Sequence, residues 1–271
     1  MSGRKFVTVG QIDATGVKGP HEKELEDFSK AKWPIFKDIE DDKLKQIVEN
    51  DIGGIVENLD AFSEDWTITK EMFPEVNIHL SYSYYGDEFG GMTEAEFKFM
   101  FSGERALWVP GEDSVTYIDV ILEFLKRSIR GEKPFEKNYD ENTELMEKVL
   151  VQRKEPFELL KEEDKNPLEK FLGAKVWKTT DGWRIKKEVF PHIFVEILYR
   201  DKKGLEVSFE GENLEKIGSY HIELVAIFLI NHVLRYITIH NQDKDLPDIC
   251  YMMFSRYKTK KEGWKHRSRE V

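Results

Sequence analysis

The chain of 271 residues is 40% hydrophobic and 34% charged, which is too apolar for a disordered chain and too charged for one embedded in a membrane. Its formal net charge of −11 disfavours duplex DNA as a ligand, because phosphate contacts need a surplus of Lys and Arg. A single cysteine, Cys250, excludes an internal disulfide and a cysteine-cluster metal site, and no long apolar leader follows Met1, so we expect a soluble cytoplasmic protein.

The N-terminal region, residues 1–62, is predicted to hold a short strand and two helices. The strand is expected within Phe6–Ile12. The first helix is expected over Pro20–Lys32, because proline suits the first turn of a helix. Apolar residues at helical spacing predict a second helix over about Asp41–Ala61, which the pair Gly53–Gly54 would bend in the middle.

Two later stretches of the chain carry nearly the same sequence. Trp66–Pro74 reads WTITKEMFP and Trp183–Pro191 reads WRIKKEVFP, with six of nine positions identical. Downstream of each, apolar residues alternate at period two, and both stretches then run F-x-G-E into a segment of helical spacing. We therefore predict a tandem duplication, in which each copy is a three-stranded antiparallel meander followed by a helix that covers its apolar face.

The predicted fold class is α+β, with copy one over residues 63–131 and copy two over residues 167–254. The helix of copy one is expected to begin at Asp113 or Ser114, which are suitable N-caps. The helix of copy two is expected over Ser219–His240. Its apolar run is interrupted by polar residues, so it falls short of a membrane span.

Two charged segments lie outside the copies. The linker, residues 132–166, carries amphipathic stretches that predict short helices. The tail, residues 255–271, is strongly basic, for which a solvated and frayed terminus is the favoured interpretation. The alternative is an arm that binds an acidic partner or RNA, with aromatic rings for stacking. The candidate contact residues of the tail are Lys258, Lys260, Lys261, Trp264, Lys265 and Arg267.

The copies differ most between their second and third strands. Copy two turns through Arg200–Gly204, whereas copy one carries the longer loop Tyr84–Met92. Aromatic rings, carboxylates and glycines together give contact area, charge and backbone freedom, which is typical of a recognition loop; a longer hairpin with its rings against the sheet is the alternative. The candidate partner-binding residues are Tyr84, Tyr85, Asp87, Glu88, Phe89 and Met92.

The sequence contains none of the common catalytic or nucleotide-binding motifs, so we expect no cofactor, no metal and a non-enzymatic function. The leading hypothesis is a binding or assembly subunit that contacts a protein partner, or a second copy of itself, through the copy-one loop or a sheet edge. One alternative is a small-ligand or metal binder, or an enzyme, that uses a cleft between the copies. Its candidate residues are His79, Asp87, Glu88 and His221. The other alternative is RNA binding through the tail.

Overall fold

The computed structural model describes residues 4–14, 18–60, 63–86 and 94–254. The chain divides into two compact units, Met1–Lys133 (unit 1) and Pro134–Val271 (unit 2). Both units combine helices with an antiparallel sheet, which confirms the predicted α+β class.

Unit 1 forms five strands within its described residues, and these make one antiparallel sheet in the order β1-β5-β4-β3-β2. A π-helical turn follows α3, and a 3-10 turn precedes α4. The elements in chain order are β1 (Phe6–Val7), α1 (Val9–Asp13), α2 (Pro20–Lys32), α3 (Asp41–Ile47), β2 (Ile55–Glu57), β3 (Trp66–Phe73), β4 (Val76–Tyr84), β5 (Ala95–Ser102) and α4 (Gly111–Arg130).

Unit 2 forms four strands in the part of the chain that the structure describes, in the order β6-β7-β8-β9. A 3-10 turn precedes its longest helix, as in unit 1. The elements in chain order are α5 (Glu144–Arg153), α6 (Lys165–Leu172), β6 (Lys175–Thr179), β7 (Gly182–Phe190), β8 (Ile193–Arg200), β9 (Gly204–Glu210), α7 (Ser219–His240) and α8 (Asp248–Met252).

A buried tryptophan stands at the same place in each sheet. Trp66 lies directly opposite Tyr82, with the two rings stacked at a centroid distance of 4.7 Å. Trp183 lies directly opposite Tyr199 in unit 2. All four side chains are buried, because alternate residues of these strands point into the core.

The helix predicted over Asp41–Ala61 is wrong in its second half. Gly53 adopts a φ of +67°, which ends the helical segment in the left-handed conformation. Gly54 lies so close to the carbonyl oxygen of Thr69 that a Cβ would overlap it. The two glycines therefore end the helix and admit β2 beside β3. Since β6 adds in the same way beside β7, each sheet exceeds the predicted three-stranded meander.

In each unit a helical segment ends at a left-handed glycine, Gly53 in unit 1 and Gly173 in unit 2, and a buried lysine caps that end. Lys187 Nζ donates to the carbonyl oxygens of Leu172 at 2.8 Å and Gly173 at 3.2 Å. Lys70 Nζ donates to the carbonyl oxygen of Gly53 at 3.4 Å. A lysine in an alternating strand is expected at the protein surface, but both of these are buried, because each ammonium turns inward to the carbonyls at the negative end of a helical segment.

Helix starts also differ from the prediction. The strand expected over Phe6–Ile12 ends at Val7, because Thr8 forms a capping box with Gln11 and begins α1. The N-cap of α4 is Pro110, so the predicted caps Asp113 and Ser114 lie inside the first turn of the helix.

Helix α7 has the predicted bounds, Ser219–His240. Among the described residues it is the one helix whose length and apolar composition would also suit a membrane span, and 94% of its most apolar window is buried inside the protein. Helices α5, α6 and α8 all contact it, which accounts for its apolar character on several sides.

In each unit a glycine directly follows the last strand of the sheet in chain order and lies against the main-chain carbonyl of a hairpin turn. Glu75 and His192 hold the first hairpin turns at φ values of +66° and +58°. A Cβ built on Gly103 would overlap the carbonyl oxygen of Glu75, and one on Gly211 would overlap that of His192. The chain that leaves β5 in unit 1 and β9 in unit 2 therefore passes the hairpin turn only where no side chain is present.

Replacing Gly103 by Ala should destabilise unit 1 by about 3 kcal/mol or more, because the overlap adds to the strain of a φ of +108°. Gly131→Ala is the matched control: its φ is +66° and its surroundings are open, so we expect a loss of about 1 kcal/mol. Urea unfolding followed by circular dichroism measures both changes. Equal losses would show that the close crossing contributes nothing.

Candidate functional site

Of the candidate partner-binding residues, the structure describes Tyr84 and Tyr85, at the end of β4. The other four candidates of the loop, Asp87, Glu88, Phe89 and Met92, lie outside the described residues, as do all the candidates of the tail. The two tyrosines are 40% and 44% exposed. Adjacent half-exposed tyrosine rings offer a large contact area at low cost in conformational entropy.

Polar contacts hold both tyrosines in place. The main-chain N–H of Tyr84 donates to Asp65 Oδ2 at 2.7 Å, and the ammonium of Lys37 lies 5.6 Å from the centroid of the Tyr84 ring. The hydroxyl of Tyr85 donates to Glu96 Oε1 at 2.6 Å. Burial, and the Glu96 carboxylate beside it, raise the pKa of the Tyr85 hydroxyl. Tyr84 and Tyr85 thus form an anchored aromatic surface with charged groups at its border.

A groove of about 410 Å³ lies beside this surface, between α2 and β5. Strand β1 pairs with β5 only at Phe101 and Ser102, so the remainder of that edge faces the groove. Glu96, which accepts a hydrogen bond from the Tyr85 hydroxyl, also lines the groove and connects it to the tyrosine surface. The groove is lined by Thr8, Val9, Glu22, Leu25, Glu26, Ser29, Lys30, Glu96, Phe97, Lys98, Phe99 and Met100.

The main chain of Phe99 faces into this groove. The N–H of Phe97 points outward, since it donates to Ser29 Oγ at 2.8 Å, and Phe101 faces outward toward Val7 of β1. Main-chain groups of alternate residues point to the same side of a strand, so the N–H and C=O of Phe99 also point outward, away from β4. No described residue forms a hydrogen bond with them on that side. A short stretch of sheet edge therefore remains available for pairing.

A buried hydrogen-bond network crosses the outer face of the same sheet. His79 Nε2 lies 2.8 Å from Ser102 Oγ, and its Nδ1 lies 2.8 Å from Thr69 Oγ1. Thr69 Oγ1 donates to Glu57 Oε1 at 2.6 Å, and Arg4 Nη1 donates to the same oxygen at 2.8 Å. The network runs from a half-exposed guanidinium to a fully buried imidazole.

The proton positions in this network follow from the carboxylate. Glu57 can only accept, because the hydrogen bonds from Thr69 and Arg4 outweigh the effect of burial and lower its pKa. The Thr69 oxygen therefore accepts a hydrogen bond from the Nδ1–H of His79. This leaves Nε2 to accept a hydrogen bond from the Ser102 hydroxyl. Burial lowers the pKa of His79 to about 4, in agreement with a neutral ring.

The order of hydroxyl, imidazole and acid resembles that of nucleophilic hydrolases, but access is lacking. Ser102 is 2% exposed, and neither of the grooves described in this section is lined by Ser102 or His79. The Phe6 ring further encloses the imidazole, edge-on at 5.1 Å. We interpret the network as structural, because it satisfies every polar group that the buried face contains along this path.

Unit 2 carries a second and wider groove, of about 930 Å³, between the end of α6 and the outer face of its sheet. Trp177 on β6 is 39% exposed there, and Phe194 on β8 lies beneath the ammonium of Lys186 at 4.8 Å. The groove is lined by Glu169, Lys170, Gly173, Ala174, Lys175, Trp177, Lys186, Glu188 and Phe194.

The strand edge at this second groove is already capped. Glu169 Oε1 accepts the main-chain N–H of Val176 at 2.9 Å, so a strand added to β6 would first have to displace that carboxylate. The groove therefore offers a face of aromatic and charged side chains, and not a sheet edge.

The described histidines of α7 lie in different surroundings. His232 is fully buried, with its ring stacked on Phe171 at 4.5 Å and its Nδ1 3.2 Å from Arg235 Nη1. His221, eleven residues earlier, is half-buried beside Tyr220. Within the described ranges, no three His, Cys, Asp or Glu side chains lie close enough together to hold a metal ion.

The sequence did not predict the groove along β5. Alternating Phe97, Phe99 and Phe101 predicted a strand with an apolar face, but not that its edge lies open beside a helix. Ser29 gives no signal in sequence, because one serine among the polar residues of α2 resembles ordinary surface. Comparison of the chain with protein-family models, curated proteins and solved structures found no significant match.

The stability of unit 1 should depend on the charge state of His79. Its pKa is near 4 in the folded protein and about 6.5 in the unfolded chain, so the unfolded state binds the extra proton and stability is lost as the pH falls from 6.5 toward 4. The stability difference between wild type and His79→Gln should shrink by about 2–3 kcal/mol between pH 7 and pH 4.

Urea unfolding at several pH values measures this difference. The control is His192→Asn, which removes an exposed imidazole at a position with a φ of +58° that asparagine tolerates, and it should leave the pH dependence unchanged. A constant difference between wild type and His79→Gln would contradict the assignment of a neutral buried imidazole.

Proposed function

We propose that the chain is a non-enzymatic binding or assembly subunit, built from two diverged copies of one unit, that binds an extended segment of a protein partner along β5. The observation that carries the proposal is the main chain of Phe99, which faces an open groove beside two anchored and half-exposed tyrosines. Strand addition to such an edge supplies affinity through main-chain hydrogen bonds and specificity through side-chain pockets.

The duplication is supported by backbone features that recur at corresponding places. Both units have a bulge in the first long strand, a positive φ in the following turn and a glycine beneath the carbonyl of that turn. Both then form a 3-10 turn and a long helix at the same spacing. The corresponding pairs are Glu75 and His192, Gly103 and Gly211, Ala106–Trp108 and Leu214–Lys216, and α4 and α7.

The proposed repeat extends further upstream than the sequence match. A helical segment ended by a left-handed glycine precedes β2 in unit 1 and β6 in unit 2. The corresponding lysines, Lys70 and Lys187, cap those two helix ends. The repeated unit is accordingly a helix, four strands and a long helix, with β1, α1 and α2 as additions to unit 1.

The additions to unit 1 form the proposed binding groove. Strand β1 occupies one end of the β5 edge, and α2 forms the opposite wall. Because Tyr85, at the base of the copy-one loop, contacts the groove residue Glu96, two features that distinguish unit 1 from unit 2 lie together. Divergence at one place is what a function acquired by one copy would produce.

The energetics suit a short bound segment. Each main-chain hydrogen bond contributes about 0.5–1.5 kcal/mol net, so the Phe99 pair alone gives weak binding. Apolar burial against Val9 and Leu25, together with contact on the two tyrosine rings, would bring the affinity into the micromolar range typical of peptide recognition. The partner is another protein or a second copy of this chain.

A second candidate function is binding of a small ligand, which the groove of unit 2 favours through its exposed Trp177. A cleft between the copies was the earlier expectation for such a ligand, whereas this groove lies within unit 2. RNA binding through the tail stays a separate proposal.

A bulky side chain in the β5 groove should abolish partner binding. Glu26 is exposed on α2 and lines the groove, so the indole of Glu26→Trp would occupy the space that a bound strand needs. Glu24→Trp is the matched control, because Glu24 is exposed on the same helix and does not line the groove.

Loss of the tyrosine rings in Tyr84→Ser/Tyr85→Ser should weaken binding at least tenfold, whereas Tyr220→Ser, at a tyrosine that is 44% exposed in unit 2, should have no effect.

The measurement begins with affinity capture from a lysate of the source organism and identification of the captured protein. The purified partner is then titrated against each variant by calorimetry, after unfolding curves have shown that the variants are folded. Wild-type affinity in Glu26→Trp would contradict binding in the groove.

A further inference from the structure

We infer that the segment bound along β5 carries an apolar residue followed two positions later by an acidic side chain, Asp or Glu. The inference rests on the proposed function, and it specifies the chemistry of the partner at the same groove. Three observations support it. They are the antiparallel direction of β1, the face of the sheet on which the Phe99 side chain lies, and the ion pairs formed by the charged residues that line the groove.

The direction of the segment follows from the strand already present. Strand β1 runs antiparallel to β5, with Phe6 opposite Ser102 and Val7 opposite Phe101. Every other pairing in this sheet is also antiparallel. A segment that continues along the edge in the same sense therefore has its C-terminal side at Phe97.

The apolar residue follows from strand geometry. Residues directly opposite each other in a sheet place their side chains on the same face. The segment residue that pairs with the main chain of Phe99 therefore points to the apolar face, where Leu25 and Val9 line the groove. A polar side chain at that position would be buried without a hydrogen-bond partner, so an apolar one is required.

The carboxylate follows from the charges of the groove wall. Three glutamates line the groove. Glu26 pairs with Lys18, and Glu96 accepts from Tyr85 and pairs with Lys98. Glu22 accepts the neutral main-chain N–H of Gly19 at 3.0 Å, and its carboxylate lies near the other end of the groove, since eight residues of helix, about 12 Å, separate it from Lys30. Of the two lysines that line the groove, Lys98 pairs with Glu96 at 3.5 Å. The other, Lys30, forms no ion pair with any described residue.

The position of Lys30 sets the spacing. It follows Ser29, whose hydroxyl oxygen accepts the N–H of Phe97, so it lies at the end of the groove where pairing along β5 stops. Phe97 is two residues from Phe99, and the antiparallel segment reaches it two residues after its apolar side chain. A carboxylate at that point meets the ammonium of Lys30, while basic residues there would meet an uncompensated like charge.

A random decapeptide library displayed on phage, panned on the immobilised full-length protein, tests the inference without knowledge of the natural partner. Clones that also bind Glu26→Trp are discarded, which leaves ligands of the groove. We expect the remaining peptides to share an apolar residue with Asp or Glu two positions later.

Synthetic versions of the enriched peptide then separate charge from shape. Changing its acid to the amide should weaken binding about three- to tenfold, and Lys30→Glu in the protein should weaken it at least tenfold. A peptide with lysine in place of the acid should recover affinity for Lys30→Glu. Lys23→Glu, on an exposed residue of α2 outside the groove, should change nothing.

The outcomes distinguish this inference from the proposed function. Peptides that depend on the groove but lack the acid, or bind Lys30→Glu as well as wild type, would overturn the inferred chemistry and leave strand addition standing. If no enriched peptide is sensitive to Glu26→Trp, the proposed function itself fails.

Discussion

The alternation of strand β5 fixes both the core of unit 1 and its open edge. The side chains of Phe97, Phe99 and Phe101 point into the core, and the main-chain groups of the same three residues point away from β4. One geometric rule therefore assigns two tasks to one strand. Shifting the register by one residue would expose the aromatic side chains and turn the free N–H and C=O groups toward β4, so neither the core nor the groove would survive.

The outer faces of the two sheets carry different kinds of polar residue. In unit 1, His79, Thr69 and Ser102 form a neutral hydrogen-bond network, because the outer face is buried there and isolated charges would be costly. In unit 2, the residues that align with them in sequence, Glu196, Lys186 and Glu210, belong to a partly exposed ladder of ion pairs. That ladder consists of Arg184 with Glu196, Lys186 with Glu210 and Arg200 with Glu206. Exposed pairs of this kind add little stability, but they keep the face soluble.

Much of the fold was readable because it depends on local periodicity. Helix α7 has its predicted bounds, and the six strands of the two meanders lie where apolar residues alternate. Helix α2 begins at Pro20 as predicted, because a proline at that position already has the backbone conformation of a first turn. The hairpin turn of copy two was likewise predicted over Arg200–Gly204, and Gly204 makes it possible with a φ of +88°.

The errors concern residues whose role depends on distant partners. Gly53 and Gly54 were expected to bend a helix; they end it because β3 offers an edge for a further strand. Lys70 and Lys187 lie in strands of ordinary alternation, and only the folded chain brings a helix end to their ammonium groups.

By itself, the sequence determined the α+β class, the positions of the long elements and the correspondence between two stretches of the chain, because these follow from spacing and side-chain type over a few residues. Only the tertiary structure decided which strand edge is open, since that depends on where β1 stops and where Ser29 of α2 meets Phe97. The candidate site lies in that second category. A free edge is a property of what is absent beside a strand, and no pattern within the strand records its neighbours.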